Sequence, residues 1–180
     1  MVDSLILVRL GLRGGDGLPA MEVLDRLAAA LAQALGVNCH VDTRPLDVTG
    51  DYDELRGQAY STAILARLSG QAPDAGKALI GVTDLDLYVP VLTFVFGEAQ
   101  LNAACAVVSA HRLKDEYYGL PANQPALIAR LLKETLHELG HTQGLKHCVD
   151  WRCVMSSAHS VERIDMRQAA FCRQCAGRVR

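Results

Sequence analysis

The chain has 180 residues, of which 50% are hydrophobic and 21% are charged, so it can bury the core of one domain and is not a disordered chain. Its 18 lysines and arginines nearly balance 20 aspartates and glutamates, and the net charge of −2 gives no general attraction to nucleic acid or to an acidic membrane. With one Trp, five Tyr and three Phe, it also lacks the aromatic content of a surface that stacks single-stranded nucleic acid.

The N-terminal segment is apolar but does not have the basic start of a secretory signal, since Asp3 opens it and Arg9 interrupts a short apolar run. No apolar run in the sequence reaches the ~18–20 residues that a membrane-spanning helix needs. We therefore expect a cytoplasmic protein with no membrane partner, in a compartment where disulfides rarely persist. We also expect a monomer.

The first half of the chain alternates strand patterns with helical patterns. In chain order the predicted elements are a strand at 4–10, a helix at 21–35, a strand at 37–41, a helix at 53–68 and a strand at 78–82. Alternation of this kind is typical of a mostly parallel sheet covered by helices.

Two further apolar runs, 91–96 and 103–108, are separated only by a glycine-containing connector and are predicted to be strands. Strands so close in sequence form a hairpin, so we expect one antiparallel strand in the sheet. A helix is predicted at 126–142, where leucines recur at helical spacing and form one apolar face.

The composition changes at Gly144, after which the chain is irregular and rich in His, Cys and Met. We expect an α/β (α+β) subdomain over residues 1–144, ending in the helix 126–142, and a small C-terminal subdomain over 145–180. A short last helix, capped by Asp165 and running through residue 171, is predicted within the second region.

The residues that carry chemistry lie in HELGHTQGLKH, at the end of the predicted helix. On a helix, His137 and His141 are ~40° apart around the axis and ~6 Å apart along it, so both imidazoles reach one metal ion. Glu138 is rotated by ~100° from His137 and is expected to approach a metal-bound water. Gly144 ends the helix and allows the sharp turn that brings His147 to the same ion.

Three neutral imidazoles leave one coordination position of zinc open for water, as in catalytic sites, whereas structural zinc normally has four protein ligands. The alternative is a histidine-rich helix end that binds no metal. The metal site is the better prediction, because the motif lies on a predicted helix that stops at the right glycine.

Four cysteines form a second candidate metal site. Two close pairs separated by a long gap are the spacing of a structural zinc site with four cysteine ligands, and the pairs here are Cys148 with Cys153 and Cys172 with Cys175. Two disulfides or ordinary buried thiols are the alternatives. Met155 follows the first pair and is either a hydrophobic floor beneath the metal or a residue that fills a gap in the core.

These motifs resemble a known family. HELGHTQGLKH followed by a methionine is similar to the metzincin zinc metallopeptidases, and the added HC-x4-C-x-M and C-x2-C patterns resemble the archaemetzincins in particular. The resemblance implies a metzincin-like fold, with a twisted, mostly parallel sheet, one antiparallel edge strand, backing and active-site helices, and a zinc-stapled C-terminal subdomain.

The resemblance also implies two zinc ions. His137, His141 and His147 would bind the catalytic ion, and Glu138 would be the general base and acid. The structural ion would be bound by four thiolates, those of Cys148, Cys153, Cys172 and Cys175.

Two further features follow from the resemblance. Met155 would be the methionine of the Met-turn. An edge strand beside the cleft would pair with an extended substrate, and the candidate residues, by their order along the chain, are Phe94, Val95, Phe96, Gly97 and Glu98.

The sequence therefore favours a zinc-dependent metallopeptidase that acts on a peptide or protein. Zinc would lower the pKa of a bound water from ~15.7 toward ~7, and Glu138 would take the proton and deliver it to the leaving amine. The alternative is a zinc-stabilised peptide-binding module with little or no turnover, its site sealed by Lys146, Asp150 or His159. The presence of Glu138 favours the enzyme, because a purely structural site has no use for it.

Within the enzyme, endopeptidase and aminopeptidase-like action on short peptides both remain open. An aminopeptidase needs an acidic group for the substrate amine, and Asp84, Asp86 and Glu98 lie near predicted strand ends, although such residues are mostly solvated loop charges. The remaining histidines and cysteines are expected to be ordinary structural residues: His40, His111, Cys39 and Cys105.

Overall fold

The computed structural model describes residues 2–71 and 76–179, so the outer limits of the two predicted regions, Met1 and Arg180, lie outside it. The strands are β1 (Ser4–Gly11), β2 (Asn38–Asp47), β3 (Tyr52–Asp53), β4 (Gln58–Tyr60), β5 (Lys77–Thr83), β6 (Leu87–Tyr88), β7 (Gly97–Ala99) and β8 (Cys105–Ser109). The α-helices are α1 (Met21–Leu35), α2 (Ser61–Ser69), α3 (Gln124–Thr142), α4 (Val161–Met166) and α5 (Arg173–Ala176).

Five strands form the main sheet in the order β2-β1-β5-β8-β7. All neighbouring pairs are parallel except β7 with β8, which form an antiparallel hairpin at one edge. The smaller strands β3, β4 and β6 form a separate three-stranded sheet. The predicted α/β architecture, a mostly parallel sheet with one antiparallel edge strand, is confirmed.

Helices cover both faces of the main sheet. Helices α1 and α3 pack on one face with the side chains of Ile80 and Val82, and α2 packs on the other face with that of Leu79. The alternation follows from the two-residue period of a strand, which places successive side chains on opposite faces. Strand β5 is buried on both sides, as expected for the centre of a parallel sheet.

Helix α3 carries the predicted metal-binding motif and is fixed at both ends. The side chain of Asn123 accepts a hydrogen bond from the backbone N–H of Ala126, and Pro125 lies in the first turn, where its missing N–H costs nothing. At the other end, Gly144 adopts a positive φ of 82° and turns the chain away from the helix axis. The histidine motif therefore lies in the last, buried turns of a well-anchored helix.

The helix predicted at 53–68 is wrong over its first half, because α2 begins only at Ser61. The Asp53 carboxylate accepts hydrogen bonds from the backbone N–H groups of Leu55 and Arg56, and Gly57 has a positive φ of 66°. A side chain that bonds the following backbone competes with helix formation, so these residues form a turn between β3 and β4. Strand β2 also continues to Asp47, beyond its predicted end.

The strand predicted at 91–96 is also wrong, because only Val95 makes a bridge, with Leu87, and the edge strand begins at Gly97. The backbone of this segment bonds to other parts of the chain, since the side-chain amide of Gln58 donates to the carbonyl oxygen of Thr93. Val91 is almost fully exposed, so this end of the apolar run is not core.

The last predicted helix is misplaced. Asp165 lies inside α4 and does not cap a helix, because its carboxylate accepts two hydrogen bonds from the guanidinium of Arg130. Residues 167–172 are irregular. Of the helices in residues 2–71 and 76–179, not one has the length and hydropathy that crossing a bilayer requires.

Candidate active site

The last turns of α3 bring His137 and His141 onto one side of the helix. The Nδ1 of His137 lies 2.8 Å from the carbonyl oxygen of Val154, and the Nδ1 of His141 lies 2.8 Å from that of Leu145. A carbonyl oxygen can only accept, so each Nδ1 carries the ring hydrogen. Each Nε2 is therefore left with its lone pair free.

His147 joins the pair after the turn at Gly144. The turn is closed by two backbone hydrogen bonds, from the N–H of Gly144 to the carbonyl of His141 and from the N–H of Leu145 to that of Gly140. The ring of His147 then lies 5.2 Å from that of His137 and 5.1 Å from that of His141, centroid to centroid. One possible ligand atom from each of the three histidines lies within 4.8 Å of the others.

The three imidazoles fit a single cation. The Nε2 atoms of His137 and His141 are 3.1 Å apart, and two lone pairs at that distance repel unless a positive charge lies between them. A tetrahedral site with zinc–nitrogen bonds of ~2.05 Å has edges of ~3.3 Å, close to this separation. Burial lowers the pKa of His137 to about 3 and also lowers that of His147, which favours the neutral rings that bind a metal.

Glu138 lies beside the histidines, fully enclosed between α3 and the edge strand. A Cβ added at Gly97 would lie 2.8 Å from the Oε1 of Glu138, so the glycine allows β7 to approach the carboxyl group. Burial, and then the charges of Glu134 and Glu98, hold the pKa of Glu138 well above its usual value. The arrangement places a carboxyl group of raised proton affinity next to the histidine cluster.

Met155 lies directly beneath the histidine helix and is fully buried. A Cβ added at Gly140 would lie 2.2 Å from the sulfur of Met155, so the methionine occupies the space that any other residue at position 140 would need. Position 140 lies between the two helical histidines, and Met155 therefore supports the turn that holds both.

The four C-terminal cysteines converge on a second centre, with one sulfur from each within 4.8 Å of the others. The Sγ atoms of Cys148 and Cys172 are 3.8 Å apart, and a tetrahedral site with zinc–sulfur bonds of ~2.3 Å has edges of ~3.8 Å. All six described cysteines are free thiols, so the disulfide alternative does not hold. Hydrogen bonding from the backbone of Cys175 lowers the pKa of Cys172 to about 7, which favours the thiolate that binds metals.

An open cleft of about 890 Å³ runs past the histidine cluster. All five predicted substrate-binding residues line it, although only Gly97 and Glu98 belong to the edge strand. The N–H of Ser109 donates to the carbonyl of Phe96, so in the alternating antiparallel ladder the backbone groups of Gly97 and Ala99 face away from β8. These backbone groups form the free edge of the sheet.

The acidic residues considered for an aminopeptidase are all engaged within the protein. Asp84 pairs with Lys114 at 2.6 Å, and Asp86 pairs with Arg112 at 2.7 Å. Glu98 accepts hydrogen bonds from two hydroxyl groups at the start of α2, those of Ser61 and Thr62, and of the three it alone lines the cleft.

The residues considered as a fourth ligand lie outside the histidine cluster. Lys146 and His159 line the cleft, whereas Asp150 lines a separate small pocket. Within the part of the chain that the structure describes, the cluster contains the three histidines alone.

Two residues of the cleft were missed by the sequence analysis. Glu134 lies one helical turn before Glu138, and its Oε1 accepts a hydrogen bond of 2.6 Å from the Nη1 of Arg167. Both side chains are buried, and both line the cleft. The four-residue spacing on α3 could have indicated Glu134, but no local signal indicates Arg167, which is 33 residues further along the chain.

A sheet edge beside a histidine cluster and a buried glutamate is the arrangement expected of a metallopeptidase. Residues 47–180 match the model of peptidase family M54. The chain belongs to this family of zinc-dependent peptidases, which confirms the class predicted from the motifs.

Individual relatives and solved structures similar to this chain are also named as archaemetzincins or as a zinc-dependent peptidase. The archaemetzincin of Methanocaldococcus jannaschii is 44% identical over 124 residues, which are 69% of this chain and 67% of the relative. The crystal structure of archaemetzincin from Archaeoglobus fulgidus, complexed with malonate, superimposes with a TM-score of 0.80 at 33% identity, covering 98% of this chain and 99% of that one. A zinc-dependent peptidase from Methanocorpusculum labreanum gives 0.85 at 25% identity, covering 98% and 100%.

Proposed function

We propose that this chain hydrolyses peptide bonds with one zinc ion bound by His137, His141 and His147 and with Glu138 as the general base. The observation that supports this most strongly is the convergence of three imidazoles beside a buried carboxyl group at an open cleft. A zinc ion with three protein ligands keeps a coordination position for water or substrate. Neither Lys146 nor His159 joins the cluster, which favours turnover over a sealed site.

The ion would supply Lewis-acid chemistry, activating a water and polarising the scissile carbonyl. Glu138 would accept a proton from the attacking water at a carboxylate oxygen and later donate it to the leaving amine. Its enclosure between α3 and Gly97 fixes the carboxyl group, so the proton is held at one position relative to the cluster. The backbone carbonyls of Val154 and Leu145 would keep the two helical histidines in the tautomer that binds metal.

The substrate would bind as an added strand. The free N–H and C=O groups of Gly97 and Ala99 are spaced to bond alternate residues of an extended peptide. Phe94, Val95 and Phe96 would contribute the apolar wall of the cleft upstream of the strand. Aminopeptidase-like action would use Glu98 to hold the substrate amine, since it is the candidate acid that lines the cleft, and would require its carboxylate to leave Ser61 or Thr62.

A second zinc ion, bound by Cys148, Cys153, Cys172 and Cys175, would have a structural role. The carbonyl of Met155 accepts a hydrogen bond of 2.8 Å from the N–H of Cys148, so the cysteine centre is tied to the methionine beneath the histidine helix. On this basis we divide the chain at residue 144 into a sheet-and-helix region and a metal-stapled C-terminal region. The six cysteines, none of them in a disulfide, support a reducing, cytoplasmic location.

The proposal is tested by cleavage of quenched fluorescent peptides by the zinc-loaded protein, with a hydroxamate as a zinc-directed inhibitor. We expect cleavage that the hydroxamate and a chelator both abolish. A zinc-loaded, folded protein that neither cleaves peptides nor binds the hydroxamate would contradict it.

A further inference from the structure

The floor of the cleft contains a charged pair that the mechanism above does not use. Arg167 is 4% exposed and Glu134 is 3% exposed, and a hydrogen bond of 2.6 Å joins them. The pair lies among the residues that line the cleft, as the three histidines do. A buried ion pair is costly to desolvate, and well-packed apolar residues of similar volume are often as stable. Stability alone therefore does not explain the pair.

The guanidinium of Arg167 has hydrogen-bonding capacity that the protein does not use. It has five N–H donors, and its Nε is buried without a partner among the described residues. Leaving such a donor unsatisfied costs free energy that an added acceptor would recover. A planar guanidinium with spare donors matches a carboxylate, which can accept two parallel hydrogen bonds.

The charges that line the cleft also favour a carboxylate ligand. Burial raises the pKa of Glu134, so desolvation opposes the negative charge that faces Arg167. Lys146 adds a second cationic side chain to the lining of the cleft. Two cationic side chains, those of Arg167 and Lys146, therefore line the cleft and would attract an anionic group of the substrate.

We propose that Arg167 is a specificity-determining residue that binds a carboxylate of the substrate, presented by an acidic side chain or by the C-terminus, at the floor of the cleft. Glu134 holds the guanidinium in place and limits its positive charge. The inference rests on the proposed zinc-peptidase function, since it identifies the class of substrate for that same site. It predicts a preference for peptides with an acidic residue or a free C-terminus close to the scissile bond.

Binding to the zinc-loaded full chain tests the inference without turnover. Four peptide hydroxamates would be compared by calorimetry: the residue next to the hydroxamate is Glu or its isostere Gln, and the C-terminus is free or amidated. We expect one carboxylate form to bind roughly 10- to 100-fold more tightly than its amide, the range for a hydrogen bond to a charged group. A difference within the Glu/Gln pair identifies the side chain as the ligand, and a difference within the acid/amide pair identifies the C-terminus.

Two substitutions separate this role from a structural one, because they act in opposite directions. R167M should abolish the preference for the carboxylate, and R167K, which retains the charge, should keep part of it. E134Q should increase the preference, since it removes the competing negative charge. A structural role would instead weaken the carboxylate and amide inhibitors equally in all three variants, and equal affinities in the wild type would overturn the proposal.

The zinc-free protein gives a readout that does not depend on the zinc site. NMR titration with N-acetylglutamate amide and N-acetylglutamine amide, and with the corresponding free acids, should give carboxylate-dependent shifts that R167M loses. If no hydroxamate binds but these shifts appear, the zinc-peptidase proposal fails and the carboxylate site stands. If hydroxamates bind without regard to the carboxylate and the shifts are absent, the carboxylate site fails and the peptidase proposal stands.

Discussion

Gly97 of the edge strand and Glu138 of the histidine helix are in direct contact. A Cβ at position 97 would lie 2.8 Å from the Oε1 of Glu138 and equally close to the carbonyl oxygen of Val107. One glycine therefore positions both the strand that would bind the substrate and the carboxyl group that would accept the proton of the attacking water. Packing sets the distance between the edge strand and the Glu138 carboxyl group, and any side chain at position 97 would change that distance.

Replacement of Gly97 by alanine should lower peptidase activity by ~10²-fold, because a displacement of about 1 Å at a reacting group costs that much. Zinc content should be retained, whereas the unfolding temperature should fall, because the added Cβ also meets the backbone carbonyl of Val107. The matched control is Gly177→Ala, where the nearest atoms to an added Cβ are 3.5 Å away. Equal activity of both variants in a quenched-peptide assay would show that the contact has no catalytic consequence.

Glu138→Ala should retain both zinc ions and lose at least ~10²–10⁴ in kcat, the usual contribution of a general acid–base residue. The loss follows because Glu98 and Glu134, the other carboxyl groups that line the cleft, are hydrogen-bonded to Thr62 and Arg167. Metal analysis and peptide cleavage are measured on the same preparation. Unchanged kcat in the zinc-loaded variant would remove Glu138 from the mechanism.

Gly140→Ala should destabilise the protein by about 1–3 kcal/mol, the usual cost of overpacking a core. Alanine normally favours a helix over glycine by about 1 kcal/mol, but here its Cβ would lie 2.2 Å from the sulfur of Met155. Urea unfolding of the zinc-loaded protein measures the change. The double variant Gly140→Ala/Met155→Ala should be more stable than the sum of the single variants predicts, because removal of the Met155 side chain makes room for the added Cβ. Strict additivity would show that the two positions do not interact.

The stability of the protein should fall as the pH rises through the titration of Glu134. Its pKa is about 7 in the folded protein and 4.5 when unperturbed, so between these values the folded state holds a proton that the unfolded state has lost. The stabilisation is complete below pH ~4.5 and is lost as the pH rises through ~7. Relative to wild type, Glu134→Gln should therefore gain stability between pH ~5 and pH ~8 in chemical unfolding experiments. A difference between the two proteins that does not change with pH would contradict a raised pKa.

The histidine and cysteine clusters could be predicted because helix geometry and close spacing determine which ligand atoms meet. His137 and His141 are one turn apart on a helix, and Gly144 marks where the chain must turn. The parallel strands β1, β5 and β8 could also be predicted from local patterns, because they are mostly apolar.

Other parts of the site depend on contacts between distant segments. Nothing near Arg167 in the sequence indicates that it pairs with Glu134. The contact of Gly97 with Glu138 likewise depends on how an edge strand packs against a helix. At 53–60, the Asp53 side chain bonds the backbone and overrides a helical pattern that composition alone favours.

The central claim is that three imidazoles hold one zinc ion and four thiolates hold another. Zinc stoichiometry of the purified protein and of His141→Ala, measured by elemental analysis together with circular dichroism, tests it most directly. We predict two zinc ions per chain in the wild type and one in His141→Ala, with the fold retained. A single ion in the wild type, or two ions retained in the folded variant, would contradict the account.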